Sequence, residues 1–113
     1  MPQDDRLTDR VRRGAKWLDR AAGGWTSLVE VATLDMSDPG QCVLAQVFGR
    51  VGDAYLRGLT RLSLDAPPGA DPYRLAWEHG FEVASPDQDL APLAYDVLTQ
   101  AWKAEIESRR FYA

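Results

Sequence analysis

The sequence predicts a small, mainly α-helical bundle of about five helices. Three observations predict it: apolar residues recur at the helical period near both ends, Asp-Pro start signals stand at 38–39 and 71–72, and glycines punctuate the intervals. With 113 residues, 45% of them hydrophobic, and four Trp, four Tyr and three Phe, the chain suits one domain (1–113) whose core needs no disulfide or metal.

The first helix is expected over about 5–22, where Leu7, Val11, Gly14, Ala15, Leu18 and Ala22 fall on one side, and Gly23-Gly24 then stops it. Residues 25–36 contain Leu28-Val29-Glu30-Val31, which favours an extended strap at 28–31 bridging to 81–83. Asp38-Pro39-Gly40-Gln41 reads as a cap, a proline at the first helical position and a Gln reaching back, opening a helix over 39–48. That helix is apolar almost all round, as a buried helix is. Asp53 caps a third helix, 53–62. Asp71-Pro72 opens a fourth, 72–80, closed by His79-Gly80. The fifth, 89–110, starts where Pro92 is tolerated in the first turn. Leu90, Leu93, Ala94, Val97, Ala101 and Ala104 form one stripe on it and Tyr95, Trp102 and Ile106 a second, which predicts a central helix and leaves homodimerisation open.

Composition excludes several functions. One cysteine, Cys42, forbids an internal disulfide and a Cys-rich zinc site, and fits a reducing compartment. The first twenty residues lack the apolar stretch of a secretory signal, and no run reaches about 18 apolar residues, so the chain reads as cytoplasmic with no membrane partner. Eleven Arg against two Lys, one Ile and no Asn resemble translation from a GC-rich genome. The net charge of −4 divides into +2 over residues 1–20, −2 over 21–66 and −4 over 67–113, a basic front and an acidic back.

The candidate chemistry is sparse. Cys42 lies in the first turns of a predicted helix, where a thiol pKa can drop, and His79 is the only available base. Burial in the most apolar segment accounts better for Cys42, and capping of a helix end for His79. Asp87/Asp89 and Glu105/Glu107 lack the order of a calcium loop, and phosphate loops and nucleophile elbows are missing. No catalytic, cofactor or metal residue is assigned.

Two surfaces remain. Arg6, Arg10, Arg13, Lys16 and Arg20 share one face of the first helix with Trp17 in the same arc, a pattern that grips phosphates and stacks on bases or engages an acidic protein. Asp5 and Asp9 interleave with it, so helix ion pairs are the competing explanation. The candidate partner-binding residues are Arg10, Arg13, Lys16, Trp17 and Arg20. A second, acidic and aromatic surface draws on Asp71, Tyr73, Glu78, Glu82, Asp87, Asp89 and Asp96.

Gly24-Trp25 followed by Leu34-Asp35-Met36-Ser37 and Cys42-Val43-Leu44-Ala45-Gln46, then His79-Gly80-Phe81, then the run from Leu98 to Ile106, resembles a group of small uncharacterised proteins from actinobacteria and their phages. The resemblance spans most of 15–108 and implies a common fold with no assigned activity. A phage origin implies a protein that binds and redirects a host factor. The expectation is therefore a non-enzymatic protein-interaction module, a phage or mobile-element accessory protein acting on a host protein. The alternative is a nucleic-acid-binding regulator using the basic first helix.

Overall fold

A computed structural model describes residues 7–49, 52–83 and 93–112. Among them lie five α-helices: α1 (Leu7–Ala21), α2 (Val43–Phe48), α3 (Ala54–Leu64), α4 (Pro72–Glu78) and α5 (Leu93–Tyr112). The chain is mainly helical, as its periodicity predicts. The expected fifth-helix start at 89–92 and the first residues of the first helix lie outside the described residues.

The centre is aromatic. Trp102 of α5 is fully buried, stacked on Phe81 at 5.3 Å and met edge-on by Trp25 at 6.0 Å. Its indole N–H donates to the Gly80 carbonyl over 2.6 Å, which lets a polar ring occupy the core without an orphaned donor. Leu98 and Ile106 flank it on the same stripe, also fully buried. The other predicted stripe of α5 is corrected: Val97 is 57% exposed and Ala104 exposed. The buried face of α5 meets α1, the 25–28 turn, and the 80–82 segment, where Trp102 and Tyr95 bond to Gly80 and Glu82.

Helix α4 is bounded as its sequence dictates. The Asp71 carboxylate accepts from the Tyr73 N–H over 2.9 Å, with Pro72 at the first helical position. At the other end Gly80, at φ +75°, donates to Trp77 O while Phe81 N–H reaches Ala76 O over 2.7 Å. This pairing of the two residues after a helix satisfies its last carbonyls. Helices α1 and α4 meet through glycine: a Cβ on Gly14 would lie 1.9 Å from the His79 carbonyl oxygen, and one on Gly80 would lie 2.7 Å from Val11 Cα. Glycine, which has no Cβ, permits backbones this close.

Two other expectations are corrected. Of the segment 28–31, Val29 and Glu30 are extended as expected, but they form no bridge, and no strand occurs among the described residues. Residues Trp25–Leu28 and Val31–Thr33 are tight 3-10 turns instead. The backbone groups a bridge needs are taken: Glu30 N–H donates to the Gln46 side chain over 2.6 Å, Phe81 N–H caps α4, and the Glu82 carbonyl accepts from Arg10. Further along, Met36 N–H donates to Thr99 Oγ1 of α5 over 2.9 Å. Nor does Asp38 open the second helix. Its carboxylate accepts from Gly40 N–H two residues on, closing a turn, and its carbonyl takes Gln41 and Cys42 N–H. Gln41 does not reach back, and its side-chain oxygen is buried without a hydrogen-bond partner among the described residues. The helix begins after Cys42. Asp53 precedes α3 as expected, but its side chain pairs with Arg57 at 2.7 Å rather than capping backbone.

Candidate binding surface

The basic front and acidic back predicted from charge do not stay apart. Helices α1 and α5 pack together, and Arg109 grips Asp19 through both Nη2 at 3.0 Å and Nε at 3.4 Å while also pairing with Glu105. Arg12 lies 4.0 Å from the same Glu105. Asp19 also accepts the Trp25 indole N–H over 2.8 Å. Partial burial works against its charge, but the bonds from Arg109 and Trp25 outweigh that and hold the carboxyl below its ordinary pKa.

The five predicted binding residues are divided by the fold. Arg10 is buried, with its guanidinium over the Trp77 ring at 4.8 Å and Nη1 donating to Trp77 O over 3.0 Å. Arg13 donates to Glu78 O over 2.7 Å. Both cations therefore serve the carbonyl end of α4, where the helix dipole favours positive charge. Trp17, expected on the solvent arc, is 2% exposed and packs against Phe48 and Phe81 at 6.1 and 6.0 Å. Its N–H donates to Asp65 Oδ2 over 2.8 Å. The reason is that α1 is covered on two sides, by α5 and by α4, so its buried arc extends past the apolar stripe.

Lys16 and Arg20 remain. They stand one turn apart on the exposed face of α1 and form no side-chain hydrogen bond or ion pair among the described residues. Beside Arg20 the structure brings Arg61 of α3, which is exposed and equally unpaired there. Arg20, Ala21, Arg61 and Asp65 line an open cleft of about 400 Å³. Asp65 is the one carboxylate in it, committed to Trp17, so positive charge is in excess. Sequence reasoning missed Arg61 because its approach to α1 depends on how α3 packs, and no local pattern encodes that.

No family model, curated protein or solved structure matches this chain. What the surfaces can do therefore rests on their own chemistry.

The second predicted surface loses one of its members. Glu82 turns inward and accepts hydrogen bonds from Tyr55 and, over 2.8 Å, from Tyr95. Burial and the Glu82 carboxylate push Tyr95 up to about 12 and Tyr55 further still. Tyr73 is 54% exposed and Asp96 exposed, while Asp87 and Asp89 lie outside the described residues.

Cys42 is buried, and burial pushes its thiol up to about 11, which disfavours the reactive thiolate at neutral pH. His79 Nδ1 lies 2.8 Å from Leu75 O at the end of α4, and burial lowers its pKa, so the neutral ring donates there. Among the described residues no three His, Cys, Asp or Glu side chains are placed to hold a metal ion, and no helix is long and apolar enough to cross a membrane.

Proposed function

We propose that this chain is a non-enzymatic binding module that docks an acidic partner protein through Lys16 and Arg20 of α1 and Arg61 of α3. The observation that carries this reading is the contrast among its cations. Arg10, Arg13, Arg57, Arg109 and Arg110 all bond within the fold, whereas these three are exposed from two adjoining helices without a partner among the described residues. Cations left over beside a cleft favour an anionic surface and speed its capture. A protein is favoured over nucleic acid because Trp17, the one aromatic in the basic arc, is spent in the core, and the chain carries a net charge of −4. The resemblance to small proteins of actinobacteria and their phages favours a factor of the host cell as the target.

The test is capture from a host lysate with wild-type bait and a Lys16→Glu/Arg20→Glu/Arg61→Glu bait, followed by direct binding of the enriched proteins. The reading predicts acidic proteins that bind the wild type, weaken with salt and are lost on the triple variant. Identical capture by both baits, or preferential capture of nucleic acid, refutes it.

A further inference from the structure

Resting on that reading, we infer that the partner presents an acidic amphipathic helix, whose apolar stripe seats on α3 while its carboxylates reach Arg61 and Arg20. Helix α3 turns Leu56 and Leu64 outward, 49% and 75% exposed, with exposed Thr60 between them. Residues at this spacing form an inclined ridge about 12 Å long, the kind that interdigitates with the ridge of a second helix. Beside the ridge, Asp53, Arg57 and Arg61 complete an open groove of about 320 Å³. Asp53 and Arg57 neutralise each other at 2.7 Å, and Arg57 also donates to the Phe48 carbonyl over 3.0 Å. Arg61 is left as the free charge of the groove, and it also lines the cleft with Arg20. The apolar ridge and the cations Arg61 and Arg20 are thus one continuous surface.

That continuity selects the occupant. A polar acidic segment would leave Leu56 and Leu64 in water, and nucleic acid offers nothing to bury them. A second copy of this chain is the wrong complement, because a two-fold pairing of α3 centred on Thr60 brings the two Arg61 side chains close together, and the groove's one carboxylate, Asp53, is already paired with Arg57. A helix with apolar residues at positions four apart and Glu or Asp on the adjoining flank satisfies both halves of the surface.

The full chain is titrated into two fluorescein-labelled synthetic peptides of about 18 residues, long enough for helix on binding. One is amphipathic, with Leu at four-residue spacing and Glu on its flank; the other carries the same charge with every Leu replaced by Ser. Fluorescence anisotropy is expected to show the amphipathic peptide bound roughly tenfold or more tightly, the factor that about 1.4 kcal/mol of apolar burial produces. Leu56→Ser/Leu64→Ser should abolish that preference while leaving residual charge-driven binding, and Arg61→Glu should weaken both peptides. Thermal melts of the variants check that these outward-facing changes leave the fold intact. Equal binding of the two peptides overturns the inference and leaves the acidic-partner reading standing. A preference that survives Leu56→Ser/Leu64→Ser, or no binding of either peptide, also overturns it, and the lysate capture then decides the broader reading separately.

Discussion

Replacing Gly14 with Ala should destabilise the protein, although Gly→Ala inside a helix ordinarily gains about 1 kcal/mol. The added methyl carbon would stand 1.9 Å from the His79 carbonyl oxygen, 3.1 Å from its carbon and 3.2 Å from Phe81 Cζ. Carbon and carbonyl oxygen settle no closer than about 3.3 Å, so α1 and the end of α4 must separate by about 1.4 Å. A shift of that size takes the 3.0 Å Arg10–Trp77 bond beyond hydrogen-bonding range and loosens the Trp17–Phe81 contact. Overpacking costs about 1–3 kcal/mol and a lost charge-assisted bond about 1.5–3. Set against the helix-propensity gain, the net loss is about 1.5–5 kcal/mol. For a domain this size each kcal/mol moves the midpoint by about 4 °C, so the variant should melt roughly 6–20 °C lower by circular dichroism. Gly23→Ala is the control, since nothing lies within 4 Å of its Cβ position, and it should melt at or slightly above wild type. A Gly14→Ala midpoint within about 3 °C of wild type would refute the close crossing of α1 and α4.

Trp102→Phe removes the donor to the Gly80 carbonyl and shrinks the central ring, so urea unfolding should show a loss of about 2–4 kcal/mol; a loss under about 1 kcal/mol would contradict a buried bond there. Cys42, with its thiol pushed up to about 11, should resist a thiol reagent in the native protein and react at once in denaturant, whereas rapid native labelling would place it at the surface. His79 has a folded-state pKa below the ordinary 6.5, so the unfolded chain takes up more protons as pH falls through that value. The stability its neutral form supports is complete above 6.5 and is lost as pH falls toward the lowered folded value. The urea midpoint should accordingly drop between about pH 7.5 and about 5.5, and His79→Gln should flatten that drop. An unchanged slope in the variant would assign it to other groups.

What was legible in the sequence was local chemistry. Asp71-Pro72 and His79-Gly80-Phe81 bound α4 because the cap, the fixed proline angle and the positive-φ glycine each act within a few residues. Asp38-Pro39 offers the same cue, yet its carboxylate closes a turn onto Gly40. The two arrangements share a bond donated by the N–H two residues on to an Asp carboxylate, and only the following residues separate them. The burial of Trp17 had a signal. Arg10, Gly14, Trp17 and Ala21 recur at helical spacing as a second inward stripe, but a charge at its head disguised it. Arg10 is tolerated inside because the carbonyl end of a short helix waits for it, a tertiary fact with no local trace. The place of Arg61 beside Arg20 is of the same kind, and so the proposed binding surface was only half readable. The strap at 25–42 likewise depends on distant side chains, Gln46 and Thr99, for its backbone bonds.

The position of α5 in the chain has a consequence for how the protein is made. Trp102 supplies the ring between Phe81 and Trp25, Thr99 reaches back 63 residues to Met36, Arg110 reaches back 84 to Thr26, and Arg109 reaches back 90 to Asp19. All of these wait for the last helix to emerge. A ribosome adding roughly 5–20 residues per second needs at least a second or so for the 20 residues of α5, far longer than a helix needs to form. Until α5 emerges, Phe81 and Trp25 lack the ring that they pack against, and aromatic surface left exposed in this way is what chaperones and proteases engage. A stop codon or frameshift within α5 thus yields an unclosed chain destined for degradation rather than a weakened version of the protein.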